Sequence, residues 1–209
     1  MPAYLKPTAA IAPDAVLPAD PAHALLLAQE LLEAPLMSNH SYGLWGYHGE
    51  TAAGRPLTIQ STGIGGASAA IVLRELAALG VARAVRVGAC APCDGQISDD
   101  DMIVVERATA IPGAAVGDAD PALTRELSRA AGSTARTGPV ASVDPLHDGP
   151  GGDPAGALAT DLESAAVLSQ ASAVGVACAA LLIAGTPADA SVIRLGRSAA
   201  VALARSETG

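Results

Sequence analysis

The sequence has no phenylalanine, one tryptophan and three tyrosines, so aromatic residues make up only 2% of 209. A flat ligand therefore has few rings to stack on, and the core must be aliphatic. All four rings (Tyr4, Tyr42, Trp45 and Tyr47) lie near the start of the chain, with none after Tyr47. Lysine is almost missing as well: Lys6 stands alone, and the formal net charge is −9. That balance excludes a basic face for a nucleic-acid backbone, although one arginine suffices for a small anion. No apolar run reaches the roughly 18 residues of a membrane helix. The longest, Ala173 to Gly185, reads as a helix end running into a buried strand. Met1 to Lys6 lacks a signal-peptide layout, so the expected location is the cytoplasm.

Cysteine is scarce and odd in number: Cys90, Cys93 and Cys178. No disulfide framework follows from that count. Cys90-Ala91-Pro92-Cys93 has C-x-x-C spacing, but redox pairs of this type sit at a helix N-terminus. Here a turn-like Asp94-Gly95-Gln96 follows. A zinc site would need two more suitably spaced ligands. The expected role of this segment is a buried loop, with no metal.

What is present is a hydrophobic content of 50%, ample for one domain spanning residues 1–209. Helix-like and strand-like segments alternate. Asp20 and Pro21 form an N-cap and first turn for a helix over Pro21 to Glu33. Leu57 to Ser61 reads as a strand. Ala67 to Leu79 reads as a helix stopped by Gly80. Short strands are expected at Ala84 to Val87, Met102 to Val105, Pro139 to Val143 and Val176 to Ile183. Helices are expected at Pro121 to Ala131, Leu162 to Ala173 and Ser191 to Arg205. Asp144 to Gly156 has the Pro, Gly and Asp content of a surface loop. Such alternation implies an α/β domain with a largely covered sheet.

The segment Thr62-Gly63-Ile64-Gly65-Gly66-Ala67-Ser68 joins a strand to a helix. Glycines there permit a tight turn and let backbone amides face a ligand. A dinucleotide fingerprint would need glycine at the sixth position and an acid ending the next strand. This chain has Ser68 and Arg86 instead.

The stretch Gln60 to Ile71 resembles the glycine loop of the purine/uridine phosphorylase family. Val85-Arg86-Val87-Gly88-Ala89-Cys90-Ala91 resembles that family's arginine-bearing strand. Thr160-Asp161-Leu162-Glu163-Ser164-Ala165-Ala166 resembles its acidic motif. The resemblance runs from about Val16 to Arg205 and is weakest over 106–156. It implies a three-layer αβα sandwich around a mixed, partly barrel-like sheet, assembled as a dimer, trimer or hexamer. It also implies cleavage of a uridine- or purine-type nucleoside by inorganic phosphate as co-substrate, giving a base and ribose 1-phosphate with no organic cofactor.

Carried over residue by residue, Glu163 is expected to receive two ribose hydroxyls, with Leu162 and Ile64 walling the sugar. Arg86 is expected to grip phosphate, since a guanidinium fork suits a dianion. Gly63 and Gly65 would add backbone donors, and His23 would stand where the family has an arginine. Asp189 is expected to serve the leaving base, although it falls a few residues late. Leu146 and His147 occupy the family's base-binding Phe and Tyr positions.

The departures are as informative. Ala19 replaces a phosphate-contacting glycine, Ala89 replaces a hydroxyl residue, and Ser41 or Tyr42 stands where a neighbouring subunit usually lends an arginine. Three functions therefore remain open: phosphorolysis, hydrolysis of an N-ribosyl bond with Asp20 activating water, and binding or assembly without catalysis. Arg86 counts against hydrolysis, because hydrolytic relatives generally lack it. His40 to Tyr47 reads either as an interface patch or as a small local core.

Overall fold

The computed structural model describes residues 2–93, 95–111, 113, 115–143, 154 and 156–206. Its elements are β1 (Asp14–Pro18), α1 (Pro21–Leu31), β2 (Glu33–Asn39), β3 (Gly46–Glu50), β4 (Pro56–Gln60), α2 (Gly66–Ala78), β5 (Arg83–Pro92) and β6 (Met102–Ile111). They continue as β7 (Val116–Asp118), α3 (Pro121–Ala131), β8 (Arg136–Val143), β9 (Ala159–Asp161), α4 (Ser164–Val174), β10 (Ala177–Ala184) and α5 (Asp189–Arg205).

Helix starts follow the sequence closely. The Asp20 carboxylate accepts from the Ala22 amide, and Pro21 occupies the first turn of α1. Asp120 caps α3 in the same way, accepting from Ala122 and Leu123. Each cap satisfies amides that have no partner within the helix. At the other end, Gly175 takes the left-handed conformation that closes α4.

The strands form one ten-stranded sheet. Five of them close on themselves: β10–β6–β8–β9–β5, with β5 returning to β10. A run of four more, β1–β4–β3–β2, extends from the other edge of β5, and β7 pairs with β6. β5 holds the architecture together. β10 runs parallel beside it from Arg83 to Cys90. Its opposite edge pairs with β1 from Arg83 to Val87, then with β9 at Ala91 and Pro92. Between these two partners, Gly88 to Cys90 have none on that edge, and the sheet splits there.

Helices α1, α3 and α5 pack together, and α2 packs with α4. This is the expected sandwich of helices about a mixed, barrel-like sheet. The core is aliphatic, built on Leu17, Leu27, Ile59, Leu73, Leu76, Ile103, Leu181 and Leu182. Gly66 lets α2 and α4 meet closely, because a Cβ there would lie 2.9 Å from the Ala166 Cβ.

Several strands run longer than their composition predicts. β5 continues through Gly-Ala-Cys-Ala-Pro, and β6 runs on to Ile111; neither extension has a β-branched run to announce it. β2, β7 and β9 had no expected counterpart. β2 and β7 are held by pairing with the adjacent strands β3 and β6, and β9 by pairing with β5 and β8, and not by their own composition. Of the aromatic patch, Tyr47 is buried and Trp45 packs against the core, whereas Tyr42 is 72% exposed. Tyr42 stands edge-on to Tyr4, with ring centroids 5.4 Å apart. Tyr47 and Trp45 are thus part of the core. No helix among the described residues is long and apolar enough to cross a membrane.

One buried charge explains how the N-terminal segment is held. Glu75 lies on the inward face of α2 and accepts from the amides of Ala3, Tyr4 and Leu5, at 2.7–3.1 Å. Burial pushes its pKa up, but these three amides outweigh that and hold it below its usual 4.5. A depressed carboxylate stabilises the fold above its unfolded pKa, and this contribution fades as pH falls through the lower, folded value. Urea titrations between about pH 6 and pH 3 should therefore show a steeper loss of stability for the natural protein than for Glu75→Gln. Near neutrality the variant should be weaker by about 2 kcal/mol.

Candidate active site

The split in the sheet opens a cavity of about 680 Å³. Its walls come from the C-terminal ends of parallel strands and the turns after them: Pro18 to Asp20 after β1, Ile64 after β4, Val143 at the end of β8, and Gly185 to Pro187 after β10. Arg86 to Pro92 of β5 form one wall, and Thr160 to Glu163 form another. Ligands of open α/β sheets gather at such points, where neighbouring strand connections diverge.

Arg86 is buried at 3% exposure, and Gly88 makes room for it. A Cβ at Gly88 would lie 3.1–3.3 Å from the guanidinium atoms. The Nη2 group of Arg86 donates to Glu163 Oε2 and lies 3.1 Å from Asp161 Oδ2. Burial opposes the charge of Arg86, but the adjacent Asp161 and Glu163 carboxylates outweigh it and hold its pKa above the usual value. The Nη1 group is buried with no hydrogen-bond partner among the described residues.

Glu163 occupies the N-cap position of α4, yet its side chain makes no capping bond. Instead it reaches across the site, where Oε1 accepts from the Gly65 amide at 2.9 Å and Oε2 accepts from Arg86. The alternative role of helix cap falls to Asp161, which accepts from the Ser164 amide at 3.0 Å.

The glycine loop is formed by two left-handed residues, Gly63 at φ 73° and Gly65 at φ 88°. Both amides already have protein acceptors: Gly63 N–H donates to the Ala19 carbonyl at 3.0 Å and Gly65 N–H to Glu163. Ile64 sits between them at the cavity mouth, 80% exposed. Leu162 and His23 also line the cavity. Asp189 does not; it is exposed at the first residue of α5, beyond the lining turn. Leu146 and His147 lie outside the described residues. The structure thus brings together Arg86, Glu163, Leu162, Ile64 and His23 and leaves Asp189 apart. It adds Asp161, whose carboxylate sequence reasoning left unassigned although it stands two residues before Glu163.

Cys90 lines the cavity from a strand, not from a helix start. Burial and the Asp161 charge, only partly offset by Arg86, push its thiol up to about 12. It is therefore a protonated, weakly donating side chain at neutral pH, giving to the Ile183 carbonyl. Cys93 is exposed. Among the described residues no three His, Cys, Asp or Glu side chains gather in a way that would hold a metal ion.

The chain is similar to several known proteins. The purine nucleoside phosphorylase DeoD-type of Oceanobacillus iheyensis is 35% identical over 100 residues, which is 47% of this chain and 42% of that protein. The uridine phosphorylase of Haemophilus influenzae is 34% identical over 102 residues, or 48% and 39%. These two alignments span less than half of the relatives' own length. A longer match, 30% over 184 residues and covering 79% and 78%, is to the purine nucleoside phosphorylase DeoD-type of Clostridium perfringens. Residues 13–206 match the family model described as the phosphorylase superfamily, and the chain belongs to that family, among the purine and uridine phosphorylases.

Proposed function

We propose that this protein binds a uridine- or purine-type nucleoside in the cavity and cleaves its N-glycosidic bond with inorganic phosphate. The observation that carries this reading is the buried Nη1 of Arg86, a charged donor without a partner among the described residues, in the lining of the same cavity as Glu163. Leaving such a donor unpaired is costly, and an anion in the cavity would relieve it. A phosphate oxygen would bond to C1′ of the ribose as the C1′–N bond breaks. The departing base would take that bond's electron pair and a proton. Glu163, already an acceptor, suits the ribose hydroxyls. Asp189 would have to move inward to meet the base. The cavity volume falls within the range usual for ligand sites of about 300–1,000 Å³.

A second reading, hydrolysis, draws on another observation. Among the described residues, three carboxylates, Asp20, Asp161 and Glu163, line the cavity against one arginine, and the Gly63 and Gly65 amides are engaged. Such a site welcomes a phosphate dianion less than one with several arginines would. The exposed side chains Tyr4, Leu36, Met37 and Tyr42 support self-association as part of the same proposal.

The deciding experiment incubates the protein with inosine, adenosine and uridine, with and without phosphate, and assays ribose 1-phosphate and free base. Phosphate-dependent formation of both is the expected outcome. Base release that ignores phosphate would establish hydrolysis instead. Binding of a nucleoside with no product in either condition would leave a binding protein.

A further inference from the structure

Two carboxylates meet Arg86, and they are held in different ways. Asp161 is fully buried at its side chain. It receives the Ser142 hydroxyl at 2.5 Å, the Ser164 hydroxyl at 2.5 Å and the Ser164 amide at 3.0 Å. Ser142 is fixed in turn, because its oxygen accepts from the Ala165 amide at 2.8 Å. These bonds join β8, β9 and the start of α4 into one polar knot, with Ser142 and Asp161 as register partners. None of them involves Arg86. Glu163, by contrast, has only the Gly65 amide and Arg86 itself among the described residues.

We propose that Asp161 is the positioning residue of this site: its carboxylate, pinned by Ser142 and Ser164, anchors the Arg86 guanidinium so that Nη1 faces an incoming anion while Glu163 stays free to exchange partners. The division follows from the donor count. A carboxylate that keeps three donors of its own stays in place when a ligand arrives, whereas one held by a single amide can trade its arginine for sugar hydroxyls. Networks in which every member is satisfied are rigid in this way. Orientation of a charged fork is worth more than its mere presence. Asp161 acts through Arg86 and need not touch substrate.

This inference rests on the phosphorolytic reading for its kinetic part only. The test pairs steady-state kinetics with nuclear magnetic resonance of protein carrying isotopically labelled arginine. The Arg86 Nη–H signals are assigned by their loss in Arg86→Lys. In the natural protein these signals should be resolved, because rotation of the guanidinium is hindered. Asp161→Asn should average or lose them and raise the KM for phosphate by about tenfold, the size of one weakened charge-assisted bond. That rise should exceed any fall in kcat. Glu163→Gln should leave the Arg86 signals resolved. Where Asp161→Asn does not fold, Ser164→Ala and Ser142→Ala each remove one pinning donor, and each should broaden the signals and raise the same KM in part.

Resolved Arg86 signals and an unchanged phosphate KM in Asp161→Asn, or in both serine variants where Asp161→Asn does not fold, would overturn the proposal. So would loss of the signals in Glu163→Gln with retention in Asp161→Asn. If the natural protein shows no phosphate-dependent turnover, the phosphorolytic reading fails, and the arginine signals alone still decide whether Asp161 is the anchor.

Discussion

Arg86→Met should lower the unfolding free energy by about 3–5 kcal/mol, the usual result of removing one member of a buried ion cluster. The cause is what is left behind. Asp161 and Glu163 would both remain buried, at 4% and 5% exposure, with no cation between them. Two buried carboxylates are then left in one site with no compensating charge, which is costly. Urea denaturation of the variant and of the natural protein at neutral pH measures the difference. The triple variant Arg86→Met, Asp161→Asn, Glu163→Gln should recover part of the loss, since it removes the stranded charges together. A single variant as stable as the natural protein at neutral pH would show that the cluster is solvated and contributes little.

Glu163→Gln should have the largest effect on turnover with a modest effect on folding. Glutamine keeps an acceptor for the Gly65 amide, and Arg86 keeps Asp161. The stability cost should therefore stay near about 1–2 kcal/mol. What disappears is a negative charge close to the ribose, where positive charge would develop as the glycosidic bond breaks. Losing one preorganised electrostatic group of this kind lowers kcat by about 10²–10³. Measured kcat/KM for whichever nucleoside is turned over should fall by that factor while the melting temperature moves by a few degrees. Full activity in this variant would remove Glu163 from the site.

How far the site was legible in the sequence depends on the residue. Arg86 and Glu163 could be named because each stands in a short local pattern, one within a strand and one opening a helix. Gly63 and Gly65 could be named because a strand-to-helix turn needs residues that accept positive φ. Asp161 sits in the same pattern as Glu163, and only its bonds to Ser142 and Ser164 give it a role. The Gly63 and Gly65 amides looked available from sequence, whereas in the structure Ala19 and Glu163 take them. Asp189 shows the opposite limit: its chemistry was suitable, but its position on α5 leaves it outside the cavity.

The sequence by itself determined the helix starts, the main strands, the aliphatic core forced by the lack of phenylalanine, and the family to which the chain belongs. These depend on periodicity, caps and short motifs, all of which act between near neighbours. Only the tertiary structure decided where the cavity opens and which groups are already engaged there. The opening arises because β5 changes partner from β1 to β9, segments roughly 140 residues apart in the chain. The hydrogen bond from Arg86 to Glu163 spans 77 positions. A buried charge must find its partners wherever packing brings them, and packing is a property of the whole chain.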